Sequence, residues 1–387
     1  MNPLFGKSIL IGITGGIAAY KVPLYIRELK KGGAIVKVIL TENAKKFVTP
    51  LVLSTISDGV FTSLWEDKIP HLSLIQNSPL FVIIPADYNI IGKAASGIAD
   101  DLLSTVIAAF KGRILFFPSM NYRMFENPIF QKNLDLLKNF GHLIIEPEIG
   151  PLALEEEGKG RLPSISRLIL ETEKALTPDL LKGSYCLITG GGTGEKIDPV
   201  RQITNLSSGK MAYSLAKFCY LAGGTPELIL GPTAKEPDPN LPYKIKRIES
   251  ADEMHQEILN RWERVDYLFM SAAVSDFTIP TRRKKIKKKD ELVLKLEANI
   301  DILEDLKNRK ENQFIIGFSI ETENLLTSAR EKMKEKGCDL MVANEVDAIG
   351  SNLTSGIIIS PSEEEDFECS KDELAWKIIK KIKSFNS

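Results

Sequence analysis

The chain has 387 residues, 50 Lys+Arg against 51 Asp+Glu and a formal net charge of -1, so it is not built as a whole to coat nucleic acid. A hydrophobic content of 43% and a charged content of 26% fit a globular protein long enough for two domains. No apolar run approaches the roughly 18 residues of a membrane span. Cys186, Cys219, Cys338 and Cys369 lack the C-x-x-C spacing, and His71, His142 and His255 lie far apart. A cytoplasmic protein with reduced thiols and no protein-built metal site is therefore expected.

Short apolar runs alternate with helical periodicity, which predicts parallel sheets covered on both faces. In the first half, strands are expected at Ser8–Ile13, Ile35–Leu40, Leu80–Pro85, Ile114–Pro118 and Leu143–Glu146. Helices are expected at Ile17–Lys30 and Asn127–Asn139. The run Ile9 to Ile13 is shorter than a signal-peptide core and ends in glycines, so it reads as a buried strand. Gly12-Ile13-Thr14-Gly15-Gly16-Ile17-Ala18-Ala19-Tyr20-Lys21 carries that strand into a helix, which suits a phosphate group at the helix start. The spacing is not that of a P-loop, and a structural tight turn competes with it. Glu42 supplies the acidic residue a dinucleotide site would need, so an NAD-dependent dehydrogenase stays open. His71 is a lone histidine, structural in most proteins, but a near-neutral base if it lies in a cofactor pocket. Pro118-Ser119-Met120-Asn121-Tyr122-Arg123-Met124 follows a strand at its carboxyl end, where open α/β sheets place ligands. The competing reading is that Asn121 caps the next turn. Glu146 to Ser164, rich in Gly, Pro and charge, predicts a long loop. A helix at Ser166–Ala175 and a linker at Leu176-Thr177-Pro178-Asp179 follow.

In the second half, strands are expected at Tyr185–Thr189, Glu227–Leu230, Tyr267–Ala272, Phe314–Phe318 and Leu340–Ala343. Helices are expected at Gly209–Ala222, Asp252–Glu263, Asp301–Asn308, Leu325–Lys336 and Asp372–Lys383. Here Ile188-Thr189-Gly190-Gly191-Gly192-Thr193-Gly194 runs on to Asp198, Arg201 and Asn205, and Gly209-Lys210 opens a helix. The glycines predict a second phosphate-binding start, because they let backbone N–H groups approach an anion. Ser208-Gly209-Lys210-Met211 is not a Walker A ending, since no Ser or Thr follows the lysine. Tyr213-Ser214-Leu215-Ala216-Lys217 matches the Tyr-x-x-x-Lys of short-chain dehydrogenases, without their upstream serine. Arg282 to Lys289 is basic at every position but Ile286. It reads as a solvated face, a nucleic-acid patch opposed by the overall charge, or a neutraliser for a triphosphate.

In their order these motifs resemble the bifunctional coenzyme A biosynthesis proteins, a phosphopantothenoylcysteine decarboxylase fused to a phosphopantothenate–cysteine ligase. The resemblance spans essentially the whole chain. It implies a flavodoxin-like, doubly wound decarboxylase domain over residues 1–178, of the flavin-containing cysteine decarboxylase type. A Rossmann-like ligase domain is implied over 182–387. Gly15, Gly16, Ile17, Thr41, Ser104, Thr105 and Met120 fall at flavin positions. His71 matches the active-site histidine, and Asn121 matches the asparagine on the substrate carboxylate. In the second half, Asn205 matches the residue that holds the acyl intermediate, and Lys285 sits in a Lys-Ile-Lys-Lys beside the phosphates. Ala272, Asp276, Asn299, Ile300, Asp301, Ile302, Phe318, Lys332 and Lys336 fall at positions for CTP or the acyl cytidylate.

The resemblance implies FMN and Mg²⁺ as cofactors. Its substrates are CTP, 4'-phosphopantothenate, cysteine and 4'-phosphopantothenoylcysteine. Trimers of the first half and dimers of the second are implied, with no nucleic-acid or membrane partner. In the ligase, a carboxylate attacks the α-phosphate of CTP, and the cysteine amine then displaces CMP. In the decarboxylase, the cysteine thiol is oxidised to a thioaldehyde, CO₂ leaves, and the enethiolate is protonated and reduced. One departure stands out. The family's substrate clamp carries an Ala-Cys-Gly whose cysteine donates the last proton. Here the clamp reads Leu152-Ala153-Leu154-Glu155-Glu156-Glu157-Gly158-Lys159-Gly160-Arg161, with Leu154 at the cysteine position. A ligase with an inactive or purely oxidative flavoprotein half is the alternative. A flavin-dependent oxidoreductase or binding protein fused to a nucleotide-binding module is another.

Overall fold

The computed structural model describes residues 2–65, 70–151, 157–233, 241–287, 292–321, 325–345 and 353–385. Its contacts divide the chain into two units, Asn2–Thr177 and Pro178–Ser387.

The first unit is built on a six-stranded sheet: β1 (Ser8–Ile13), β2 (Ile35–Leu40), β3 (Val60–Phe61), β4 (Leu80–Ala86), β5 (Ile114–Pro118) and β6 (Leu143–Ile144). The order is β3-β2-β1-β4-β5-β6 and every pairing is parallel. Without the two-residue β3 it is the order of a flavodoxin-like sheet, and the connections reverse between β1 and β4. The helices are α1 (Val22–Lys31), α2 (Pro50–Ile56), α3 (Pro70–Ile75), α4 (Tyr88–Ser96), α5 (Leu102–Ala109), α6 (Tyr122–Phe125), α7 (Pro128–Asn139) and α8 (Ile165–Leu176). Val22, Tyr25, Ile26 and Leu29 of α1 and Leu168 of α8 pack on one face of the sheet. Ile90, Ile91, Leu103, Val106, Phe130 and Leu134 cover the other. Cover on both faces explains why every residue of β4 is buried and apolar.

The expected long loop at Glu146 to Ser164 instead holds a hairpin. Its strands are β7 (Glu148–Pro151) and β8 (Glu157–Arg161), paired antiparallel. The glycines that read as loop residues serve close packing. A Cβ at Gly160 would lie 2.0 Å from Met120 O, and one at Gly158 would lie 2.6 Å from Tyr122 Cβ.

The second unit holds β9 (Tyr185–Gly190), β10 (Gly194–Asp198), β11 (Arg201–Thr204), β12 (Thr225–Leu230), β13 (Lys244–Arg247), β14 (Tyr267–Met270), β15 (Phe277–Thr278), β16 (Glu297–Ala298), β17 (Phe314–Glu321), β18 (Leu340–Glu345), β19 (Leu353–Ile359) and β20 (Glu364–Ser370). Its helices are α9 (Lys210–Leu221), α10 (Ala251–Leu259), α11 (Ile302–Lys307), α12 (Leu325–Glu335) and α13 (Lys371–Phe385). The main sheet runs β13-β12-β9-β14-β17-β18-β19-β20, parallel as far as β18 and antiparallel beyond. Its first six strands follow the Rossmann order, with the reversal between β9 and β14. Met254, Ile258, Ile302, Leu306, Ala329 and Met333 place α10, α11 and α12 on one face. The crossover through α9 runs the opposite way along the sheet, so right-handed connection puts α9, with α13 packed on it, on the other face. The expected strand Tyr267–Ala272 stops at Met270, because Ala273 turns aside to pair with Gly192. Among the described residues no helix is long and apolar enough to cross a membrane.

Candidate active sites

At the reversal point of the first unit, Thr14 ties the ends of β1 and β4 together. Its hydroxyl donates to Pro85 O at 2.7 Å and accepts from Asp87 N–H at 3.0 Å. Thr41, at the end of β2, donates through its N–H and its hydroxyl to Ile13 O, at 3.1 and 3.2 Å. Gly15 passes so close to the next segment that a Cβ there would lie 2.5 Å from Asn43 Cβ. Gly16 is extended and precedes a 3₁₀ turn that leaves Ile17 exposed. A cavity of about 170 Å³ opens beside these residues, lined by Thr14, Thr41, Glu42, Asn43, Asp87, Lys93 and Asp101 among others. Burial lifts the Asp87 carboxyl above its usual range, although Ile90 N–H donates to it at 2.8 Å. Ser104 is buried in a capping box with Asp101 at the start of α5, and Thr105 follows one residue on.

Of the expected flavin residues, the structure brings only Thr41 into the lining of this cavity. Met120 lies at the end of β5, where its N–H donates to Gly160 O at 3.1 Å. Asn121 caps α6, accepting from Arg123 N–H at 3.0 Å. His71 sits in α3, and its Nδ1 is buried with no hydrogen-bond partner among the described residues. Leu154 and Glu155 lie outside the described residues. Lys93 carries no sequence signal of its own. It lines the cavity because Asp100 and Asp101 hold its ammonium at 2.6 and 2.9 Å.

The reversal point of the second unit holds a larger cavity, about 560 Å³. Asn205, Ala272, Asp276, Asn299, Ile300, Asp301, Ile302, Phe318, Lys332 and Lys336 all line it, although they are spread over more than a hundred residues of chain. Asn205 Nδ2 donates to Val274 O at 2.9 Å. Asn299 Nδ2 donates to Ser275 O at 3.0 Å and to the buried Glu195 at 3.3 Å. Glu195 also accepts from Ala251 N–H at 3.1 Å and Thr278 Oγ1 at 3.2 Å, so one carboxylate positions three segments. Asp301 caps α11 and forms an ion pair with Lys336, which raises the lysine's pKa.

Two expectations change here. The glycine run 190–194 is not a phosphate cradle. Its Gly192, Thr193 and Gly194 N–H groups donate to Pro232 O, Ala273 O and Glu249 O, and none of the residues 190–194 lines the cavity. The glycines allow tight packing instead: a Cβ at Gly192 would lie 2.4 Å from Asn205 O. The lining comes from the later segment, Asn205 to Ala212. Lys285 is exposed and does not line the cavity of its own chain. Its segment is anchored by Asp198, which accepts from Ile286 N–H at 3.0 Å and pairs with Arg201. The Ile286 N–H is the main cause that holds the Asp198 carboxyl below its usual range. Ser319, Asn344, Thr354 and Lys371 line the cavity without having been expected there, and so does Lys210, which opens α9 in the expected phosphate-binding start.

Comparison with known proteins follows the same division. Residues 2–177 match the family described as Flavoprotein, and residues 181–385 match the DNA/pantothenate metabolism flavoprotein C-terminal domain. The coenzyme A biosynthesis bifunctional protein CoaBC of Borreliella burgdorferi is 39% identical, over 97% of this chain and 98% of that one. Its Bacillus subtilis counterpart is 37% identical, over 90% of this chain and 88% of that one. A solved C-terminal domain of a CoaBC protein covers 54% of this chain and 97% of its own, at 34% identity and a TM-score of 0.46. The chain belongs to the family of coenzyme A biosynthesis bifunctional proteins.

Proposed function

We infer that the chain joins two activities of coenzyme A biosynthesis: a phosphopantothenate–cysteine ligase in the second unit and a flavin-dependent phosphopantothenoylcysteine decarboxylase in the first. The observation that carries the ligase reading is the second unit's cavity, which gathers Asn205, Asp276, Asn299, Asp301, Phe318 and Lys332 at one reversal point. Its volume suits a nucleotide. CTP binds there, with the base toward Phe318 and Ile300, and Mg²⁺ enters on phosphate oxygens. The carboxylate of 4'-phosphopantothenate attacks the α-phosphate, and Asn205 holds the resulting acyl cytidylate. The cysteine amine then displaces CMP. Lys285 offsets the developing phosphate charge. Since it lies outside its own chain's cavity, it acts after movement of its segment or from a second copy in the expected dimer.

The end of β1 fits FMN in part. Gly15 and Gly16 carry no side chain across it, and Thr41 lines the adjoining cavity. One chain's cavity of about 170 Å³ is below the roughly 300–1,000 Å³ of a cofactor site, which supports a pocket completed by other subunits of the expected trimer. When bound, FMN supplies two-electron oxidation of the substrate thiol and its later reversal. His71 accepts the thiol proton, through an imidazole whose Nδ1 has no partner among the described residues. Asn121 anchors the substrate carboxylate.

The test is product analysis with CTP, Mg²⁺, 4'-phosphopantothenate and cysteine. Pyrophosphate should appear only when all are present. The products should be phosphopantothenoylcysteine and then phosphopantetheine. Pyrophosphate release without phosphopantothenate, or a purified protein with no flavin absorbance, overturns the corresponding half.

A further inference from the structure

The first unit's cavity is acidic. Glu42, Asp87 and Asp101 line it, and Lys93 is the one cation among its described lining residues. A phosphate monoester such as FMN carries about -1.5 to -2 charge near neutral pH, so a wall of carboxylates opposes it. The charge of that wall is therefore a property the site has to control.

Lys93 belongs to α4, and Asp100 and Asp101 stand just before α5. Gly97 ends α4 in the left-handed region, at φ 69°, and turns the chain back so that both acids return to the lysine. The ammonium lies 2.6 Å from Asp100 Oδ1 and 2.9 Å from Asp101 Oδ2, on a side chain only 16% exposed. Burial lowers the Lys93 pKa, but the two bonds outweigh it, and the group titrates above its usual range. Asp101 divides its carboxylate: Oδ1 accepts from Ser104 N–H at 2.8 Å and caps α5, while Oδ2 faces Lys93. An asparagine would cap as well, so the cap does not need the charge. Of the other two acids, Glu42 is paired with Lys45 and largely exposed, and burial raises the pKa of Asp87. Asp101 is the lining acid whose charge Lys93 governs.

We propose that Lys93 is a positioning residue for the cofactor: by cancelling the charge of Asp101, with Asp100 as its second partner, it lets the dianionic FMN seat against an acidic wall. The proposal rests on the reading that this cavity is part of the flavin site. Lys93 is committed to two carboxylates, so it acts through Asp101 and the field of the cavity and not by contact with the flavin.

The test titrates full-length protein, freed of flavin by dialysis, with FMN and with riboflavin, which lacks the phosphate. Bound flavin is read from the quenching of its fluorescence. Lys93→Met should weaken FMN binding on the order of tenfold and leave riboflavin binding nearly unchanged. Lys93→Arg should keep most of the FMN affinity. Lys93→Met with Asp101→Asn should recover most of what Lys93→Met loses, because the cap stays and the uncompensated charge goes. Asp101→Asn alone keeps both cap and lysine, and should bind FMN at least as tightly as wild type; this arm stands even if Lys93→Met does not fold. A lysine that only braces α4 on α5 would weaken both flavins alike and would not be rescued by Asp101→Asn. Equal loss of both flavins, absence of that rescue, undiminished FMN binding by Lys93→Met, or weaker FMN binding by Asp101→Asn overturns the proposal. If wild type binds riboflavin but not FMN, the compensation fails while the flavin site stands. If wild type binds neither, the reading of the cavity falls first and the role of Lys93 with it.

Discussion

Asp198 shows how one residue can matter without touching substrate. It is buried and accepts N–H groups from Val200 and Ile286, so it fastens the segment that carries Lys285. Its carboxyl titrates below the usual range, chiefly because of the Ile286 N–H. A depressed acid stabilises the native state above its unfolded pKa of about 4 and loses that contribution as pH falls through its native value. The Ile286 amide should therefore be protected from exchange at neutral pH and lose protection in acid, below about pH 4. In Asp198→Asn protection should already be lower at pH 7 and should change little in acid. Hydrogen exchange at that amide decides it. Lys285 allows a sharper test. Asn205→Asp and Lys285→Gln chains should each lose turnover. Mixed in equal amounts and allowed to exchange subunits, they should regain about a quarter of the wild-type rate if Lys285 acts across a dimer. No recovery means that it acts within its own chain.

At the scale of elements, regular strands and long helices were legible because burial on both faces leaves a continuous apolar run. β1, β2 and β5 occupy the expected ranges to the residue. The elements missed have weaker patterns. β13 reads Lys244-Ile245-Lys246-Arg247, a charged edge strand with a single apolar residue. β8 reads Glu157-Gly158-Lys159-Gly160-Arg161, which has the composition of a loop. Its glycines reflect the nearness of Met120 and Tyr122, a tertiary fact that local pattern cannot carry. The same holds for Lys371, which opens an ordinary amphipathic helix until α13 docks on α9. The lining of the second unit's cavity was legible through the family resemblance rather than through periodicity, since Lys332, for example, lies inside α12 and not at a strand end. β8 also supports a prediction. Gly160→Ala would push a methyl group against Met120 O, so the hairpin must shift from the segment that presents Asn121. Decarboxylation should fall by about tenfold or more, while ligase turnover in the same protein stays unchanged. An equal loss of both activities would point to global misfolding.

For the whole molecule the question is whether the first half completes its reaction. Oxidation of the thiol and loss of CO₂ need no proton from the clamp. The enethiolate that remains needs a proton on carbon, together with return of the two electrons withdrawn earlier. The family resemblance implies a clamp cysteine as the source of that proton, and Leu154, which stands at that position, has none to give. Glu155 is the next residue, and Gly158-Lys159-Gly160-Arg161 follows in the hairpin that packs on Met120 and Tyr122. A carboxyl shut away from water under a closed clamp would have a raised pKa and serve as a workable acid. The expected outcome under anaerobic conditions is that phosphopantothenoylcysteine is converted fully to phosphopantetheine. With Glu155→Gln, CO₂ should still be released, the flavin should stay bleached and the enethiol should accumulate. Leu154→Cys in the Glu155→Gln background should restore the final product, because it returns a proton donor one residue away. Normal turnover by Glu155→Gln would eliminate the glutamate as donor. A flavin that never bleaches in Glu155→Gln, with no CO₂ released by that variant or by the wild type, would show that the first half no longer oxidises its substrate and would leave the ligase as the chain's one activity.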